Sequence, residues 1–318
     1  MLLSEQTRNR LLNVLKIAVS LGGIAILALT QDLQHVAQLL REMDWQPFLV
    51  ALLLFLSGSF VRAYRWGCLV WALDVKVGWW RLVALYFVGG FFSLFLPTGV
   101  GGDAVKMFEL SRDDGRAAPA ISSVLVDRFL GLFVLFAIAL IALVGSHELV
   151  GAGLRTLIAL VFVGSLAGAG LLLQRTWIET WGHRLGVDRL LGRFKILREL
   201  YDTLHLYGAG ALLRATGASL LWNLILIFGY YYLGQAVGIE VPLGRYLILI
   251  PIISALLMVP SIGGLGIREG ATVLLFTQMG TTESQALALA VAYDLTLVVN
   301  GLIGAVIYIL QGMRGARH

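Results

Sequence analysis

Residues 82–96 form an uncharged, apolar run that stops at Pro97-Thr98-Gly99-Val100-Gly101-Gly102-Asp103. As a helix the run is about 22 Å long at 1.5 Å per residue, short of a hydrocarbon core of roughly 30 Å. A second run, residues 246–259, is just as short and stops in the same way, at Pro260-Ser261-Ile262-Gly263-Gly264. Each run then continues into a further apolar-leaning segment. This profile predicts two re-entrant hairpins, which enter the bilayer, turn at membrane depth and return to the side they came from.

The surrounding sequence requires a membrane. Of 318 residues 58% are apolar and 14% charged, and the mean hydropathy is +0.85. Soluble domains run near 45–50% apolar and 25% charged, so that class is excluded. The apolar runs are continuous rather than alternating, which argues against a β-barrel. Long runs at 11–29, 46–61, 121–144, 154–173, 215–233 and 285–310 are candidate spans. The single cysteine, Cys68, excludes an intrachain disulfide and a multi-cysteine metal site. The net charge of +5 reports topology rather than nucleic-acid binding.

The basic residues decide between hairpins and crossings. With both short runs re-entrant, the cytoplasm receives 20 of the 24 Lys and Arg. Only Arg41, Arg155, Arg245 and Arg268 then fall outside. With both runs crossing, the bias disappears. The expected fold is therefore an all-α polytopic membrane protein of six spanning helices plus two re-entrant hairpins, with both termini cytoplasmic.

The two short runs belong to longer matching stretches. Val75-Lys76-Val77-Gly78-Trp79-Trp80-Arg81 resembles Ile239-Glu240-Val241-Pro242-Leu243-Gly244-Arg245. Each copy then has its apolar run, a Pro, a small hydroxyl residue, a Gly-Gly pair, nearby charges and an acid in the next span, Asp127 or Asp294. The topology makes the copies antiparallel, an inverted repeat of the alternating-access kind. Residues 1–318 then form a single integral membrane domain. It comprises an extra N-terminal helix at 11–29, repeat 1 at 46–144, a linking span at 154–173, a linker at 175–214 and repeat 2 at 215–310. Leu190, Phe194, Leu197, Tyr201 and Leu204 recur at helical spacing, so the linker is expected as a cytoplasmic amphipathic helix, with Trp177 and Trp181 at headgroup depth.

Non-helical backbone at membrane depth survives only inside protein or beside a wet cavity. The glycine turns at Gly101, Gly102, Gly263 and Gly264 are therefore candidate ligand-facing backbone. Asp103, in a first helical turn, must be paired with Lys106 or Arg128, protonated, or facing an amine; Glu269 poses the same question beside Arg268. Asp294, near mid-depth, is expected to be paired, protonated or coupled to movement, and Asp127 is a second candidate for such a coupling or proton-binding role. Asp127 and Arg128 are adjacent and so need different partners. Arg62 and Arg65 read as snorkelling anchors at the membrane edge. No phosphate-binding GxxxxGK[ST], HExxH, GxSxG or CxxC is present, and the five histidines lack metal-ligand spacing.

Three ordered motifs carry a resemblance: Pro97 through Lys106, Val126-Asp127-Arg128-Phe129-Leu130-Gly131, and Pro260 through Gly270. Together they resemble the membrane domain of bacterial lysyl-phosphatidylglycerol synthases, a flippase-like family with many stand-alone members. The resemblance implies a bacterial inner-membrane protein that moves a phospholipid or polyprenyl-linked lipid between leaflets. The family motif positions map onto Pro97, Gly101, Gly102 and Asp103, onto Asp127 and Arg128, and onto Gly266, Arg268 and Glu269. Lipid aminoacylation is not carried over, because the sequence ends at His318, soon after the last span. The expected function is a lipid translocase without its own ATPase and without a cofactor. Arg128 and Arg268 would hold phosphate, and Asp103 and Glu269 a cation or proton. The alternatives are a membrane-embedded transferase for a lipid-linked sugar, with Asp103 or Glu269 as base, and a non-transporting scaffold for a lipid-modifying enzyme.

Overall fold

The computed structural model describes residues 32–96, 101–144, 202–257 and 264–315, with isolated helical positions at 156, 159–160, 162–164, 166 and 199. Every described element is a helix: α1 (Leu33–Arg41), α2 (Trp45–Ala72), α3 (Trp79–Phe95), α4 (Gly101–Asp114), α5 (Ala117–Val144), α6 (Ala209–Ala236), α7 (Leu243–Leu256), α8 (Ile267–Thr277) and α9 (Glu283–Gly315). The expected span at 11–29, the turns around Pro97 and Pro260, and most of 154–173 and of the linker lie outside the described residues. Trp177 and Trp181 lie outside them too.

Local chemistry places the boundaries. Asp32 caps α1, its Oδ1 accepting from the backbone N–H groups of Gln34 and His35 at 3.1 Å each. Thr282 and Gln285 cap α9 reciprocally, each backbone N–H donating to the other's side-chain oxygen at 3.2 Å. Pro47 and Pro119 sit in the first turns of α2 and α5, where a missing N–H costs no helical bond. After α2 the chain reverses at Asp74, whose φ of 56° a short polar side chain tolerates.

Among the described residues four helices, α2, α5, α6 and α9, are long and apolar enough to cross a membrane. Two corrections to the expected boundaries follow. α2 does not stop at 61 but runs on through Arg62 and Arg65 to Ala72, and α6 begins at Ala209 rather than 215, inside the expected linker. In both places an arginine that reads as a span end is satisfied within the fold. Arg214 Nε, for example, donates to the Gly210 carbonyl at 3.2 Å. α3 and α7 are short, at 17 and 14 residues, or about 26 and 21 Å.

The distribution of side chains is inside out. Of the apolar stretch of α2 only 28% is buried, and of α9 only 44%. Leu53, Ile141, Leu302 and Val306 point outward, whereas Arg65, Asp103, Lys106, Asp127, Arg268 and Glu269 are buried. Apolar surface facing outward is the arrangement lipid requires, and buried charges must then find partners within the protein. The chain is a multi-pass helical membrane protein.

Contacts divide the chain into two compact units: Met1–Gly58 with Tyr86–Val105 and Ile225–His318, and Ser59–Leu85 with Lys106–Leu224. In the first unit α8 packs on α7 and α9, and α1 packs on α9. Lipid tails are as apolar as leucine, so helices associate there through close packing and hydrogen bonds. Gly304 supplies that closeness, since a Cβ at this position would collide with the Phe87 carbonyl of α3. In the second unit Trp66 is fully buried and donates from Nε1 to Ser123 Oγ at 3.0 Å.

Candidate functional site

Two buried ion pairs stand out, one in each unit. In the second unit Arg65 of α2 grips Asp127 of α5 with two parallel bonds, Nε to Oδ1 at 2.6 Å and Nη2 to Oδ2 at 2.9 Å. Its third arm donates from Nη1 to Ser219 Oγ of α6 at 3.2 Å. Ser219 in turn donates to the Leu130 carbonyl at 3.1 Å, and Asn223, one turn on, donates to the Gly131 carbonyl at 3.1 Å. Gly131 leaves the room this needs, because a Cβ there would lie 2.8 Å from Arg65 Nη1. The Asp127 side chain is 2% exposed. This centre is closed and saturated, and it ties three helices together.

Arg65 is therefore not a snorkelling anchor. Snorkelling needs an apolar stem with its head in water, and this guanidinium is instead buried against a carboxylate. Arg62 lies over the Trp222 ring at 4.1 Å, a cation–π contact. Lys106 Nζ sits 5.3 Å from the Trp66 ring centre. Arg128 is exposed. Adjacent residues lie about 100° apart around a helix, so Arg128 and Asp127 point in different directions.

In the first unit Arg268 of α8 pairs with Asp294 of α9. The guanidinium also lies 5.1 Å over the Tyr293 ring. Tyr293 stacks on Tyr230 of α6 at 4.5 Å, and Phe55 of α2 meets it edge-on at 5.1 Å. The neighbouring Glu269 does something different. Its Oε2 accepts from the Gly266 N–H at 2.6 Å, closing the first turn of α8. Gly264 and Gly266, at φ 84° and 81°, make the turn that lets the chain enter α8 here, and the Arg268 N–H donates to the Gly264 carbonyl at 2.9 Å. The Asp294 side chain is 21% exposed, against 7% for Arg268, so this pair is open on its carboxylate side.

Asp103 and Glu269 both occupy the third position of their helices, α4 and α8, and both are buried. At the turn end of α4, the Gly102 N–H donates to Ser93 Oγ of α3 at 3.2 Å, and a Cβ on Gly102 would strike the Gly89 carbonyl. Gly101 is also buried there, and Gly263 lies outside the described residues. Among the described residues no group of acids, histidines or cysteines is placed to hold a metal ion.

Sequence reasoning missed Arg65, Ser219 and Asn223 as members of these centres. A signal existed for Arg65. An acid one turn into an apolar span needs a base, and Arg65 is one of few on a neighbouring span.

A family model described as Lysylphosphatidylglycerol synthase TM region matches residues 13–304. The chain belongs to that family. This lysylphosphatidylglycerol synthase TM region makes it a membrane protein connected with lipid metabolism. A comparison with curated proteins gives no match. Both ion-pair centres, and all three motifs read in the sequence, fall within the matched stretch.

Proposed function

We propose that the protein is a lipid translocase of a bacterial-type cytoplasmic membrane, with both termini in the cytoplasm. It moves a phospholipid or polyprenyl-linked head group between leaflets without hydrolysing ATP. The observation that carries this reading is the Arg268–Asp294 pair, a buried cation behind a glycine turn whose counter-ion is partly open. A head-group phosphate fits such a cation, and the acyl chains stay in the bilayer, which spares the cost of moving them through a polar site.

The same reading takes the helix order as two inverted repeats. The lengths run long, short, short, long twice: 28, 17, 14 and 28 residues, then 28, 14, 11 and 33. Arg81 and Arg245, the matched arginines that open α3 and α7, support it further. Arg81 bonds Asp113 and Glu109 at the far end of α4 at 2.8 Å each. Arg245 bonds the Met279 carbonyl just past α8 at 3.2 Å. Each clips together the open ends of a short helix pair, as a hairpin that enters and leaves on one side requires. Alternating access between the repeats then exposes the site to one leaflet at a time.

Purified protein in liposomes, assayed for head-group crossing with fluorescent phospholipids and polyprenyl phosphates, is expected to exceed empty liposomes. No acceleration with any of these lipids would remove the proposal. Product formed by the purified chain from a labelled sugar donor would replace it with a transferase.

A further inference from the structure

We propose that Arg245 and Thr281 hold the phosphodiester of a membrane phospholipid at one membrane surface, in a site separate from the Arg268–Asp294 pair. Three candidate spans of the first unit end together at this level. The Asp44 N–H, just before α2, donates to the carbonyl of Ala236, the last residue of α6, at 2.9 Å. Gln285 Nε2, in the first turn of α9, donates to the Gly238 carbonyl just past α6 at 3.0 Å. Arg245, in the first turn of α7, reaches the Met279 carbonyl between α8 and α9. Phospholipid head groups lie where apolar spans end. Arg268 opens α8 and the Met279 contact lies past its other end, 11 residues or about 16 Å of helix away.

The arginines that open α3 and α7 differ in what balances their charge. Arg81 is held by Glu109 and Asp113. Arg245, half-buried, has no carboxylate partner among the described residues, and its guanidinium meets only the Met279 carbonyl, through Nη1 at 3.2 Å. That leaves the Nε–Nη2 edge, the same edge with which Arg65 grips Asp127. Arg245 Nε is buried there without a bond, and so is Thr281 Oγ1. Thr281 follows Met279 by two residues, at most about 7 Å of chain. Buried donors left unbonded are costly, and two of them beside one cation fit an anion with two acceptor oxygens. A phosphodiester has one negative charge and two free oxygens, one for the guanidinium edge and one for the hydroxyl. Gly244 and Gly280, exposed and with nothing within 4 Å of a Cβ position, leave open space on both sides of the contact. Leu274, in the last turn of α8, is 60% exposed and offers apolar surface for an acyl chain. The site fixes a lipid whether or not the protein carries lipid across.

The test uses the full chain purified in a neutral maltoside, with short-chain phosphatidylglycerol as the probe. The rise in melting temperature and the lipid retained in native mass spectrometry are read together, since a ligand of the folded state raises the melting temperature. Arg245→Gln keeps a donor for the Met279 carbonyl and is expected to weaken binding about tenfold. Thr281→Val is expected to weaken it about threefold. That variant removes a hydroxyl without a bond among the described residues, so the lipid-free melting temperature is expected to stay level or rise. Should Arg245→Gln not fold, Thr281→Val decides alone. An equal lipid-induced rise in the unmodified protein and in the folded variants overturns the site, and so does the absence of any rise in the unmodified protein. Inorganic phosphate and water-soluble glycerophosphoglycerol are expected to give no rise. A rise with either that Thr281→Val diminishes assigns the site to a soluble anion and overturns the lipid assignment.

Discussion

Arg65 and Asp127, 62 residues apart in the chain, meet through two parallel buried hydrogen bonds of 2.6 and 2.9 Å. The third guanidinium arm reaches Ser219, so α2, α5 and α6 share one charge centre. In a bilayer no water can replace a lost partner, and the pair behaves as a rivet.

Breaking that rivet from one side is expected to be costly. Asp127→Asn or Arg65→Met alone should destabilise by about 3–5 kcal/mol, because each leaves a buried charge without its counter-ion. The double variant Arg65→Met with Asp127→Leu should recover a large part of that loss. Thermal unfolding in detergent reads both, and additive losses in the double variant would contradict the pairing.

Gly304 is expected to tolerate no side chain. Gly304→Val should force α9 away from the Phe87 backbone and cost about 1–3 kcal/mol or more. Gly164, which has open space around it, serves as the control at Gly164→Ala. Comparable melting shifts for the two variants would argue against the close α3–α9 contact.

Glu269 separates capping from a charge role. Glu269→Gln keeps an acceptor for the Gly266 N–H and should lose little stability, whereas Glu269→Ala should lose about 0.5–2 kcal/mol. If the two variants unfold alike, the cap is not what Glu269 contributes.

Tyr207 should behave differently at high pH from an exposed tyrosine. Burial, opposed by the hydrogen bond with Ser122 at 3.3 Å, holds its phenol well above the ordinary range near 10. The sign follows from linkage. The unfolded chain ionises near pH 10 and the folded one does not, so stability is intact below pH 10 and falls above it. Tyr207→Phe should flatten this alkaline loss, as read by unfolding midpoints between pH 8 and 11.

The hairpin topology is open to direct labelling. Cys68 is the sole cysteine, so Ser111→Cys in a Cys68→Ser background gives one reporter near the end of α4. An impermeant maleimide should reach it only from the cytoplasmic side. Labelling from the periplasmic side would dissolve the inverted repeat and the carrier proposal with it.

The membrane class, the four long helices and the short α3 and α7 were legible in the sequence, because uncharged run length and Pro-Gly punctuation are one-dimensional properties. So were the places of Arg81 and Arg245 at the openings of those two helices. The expectation that Asp127 and Arg128 would need separate partners also follows from helix geometry alone, and Arg128 does lie exposed while Asp127 is buried. The partners themselves were not legible. Arg65 read as an anchor, Asp294 had no assigned base, and Glu269 stood beside Arg268 with its capping role unresolved.

By itself the amino-acid sequence determined that this chain lives in lipid and that its long apolar runs, among them those of α2, α5, α6 and α9, are fit to cross it. Only the tertiary structure decided that Arg65 belongs to Asp127 and Arg268 to Asp294, and that one pair is shut while the other is open. The reason is rotational. A helix apolar on nearly every face carries no stripe to say which side turns inward, so the facing of each charge is set only when neighbouring helices pack.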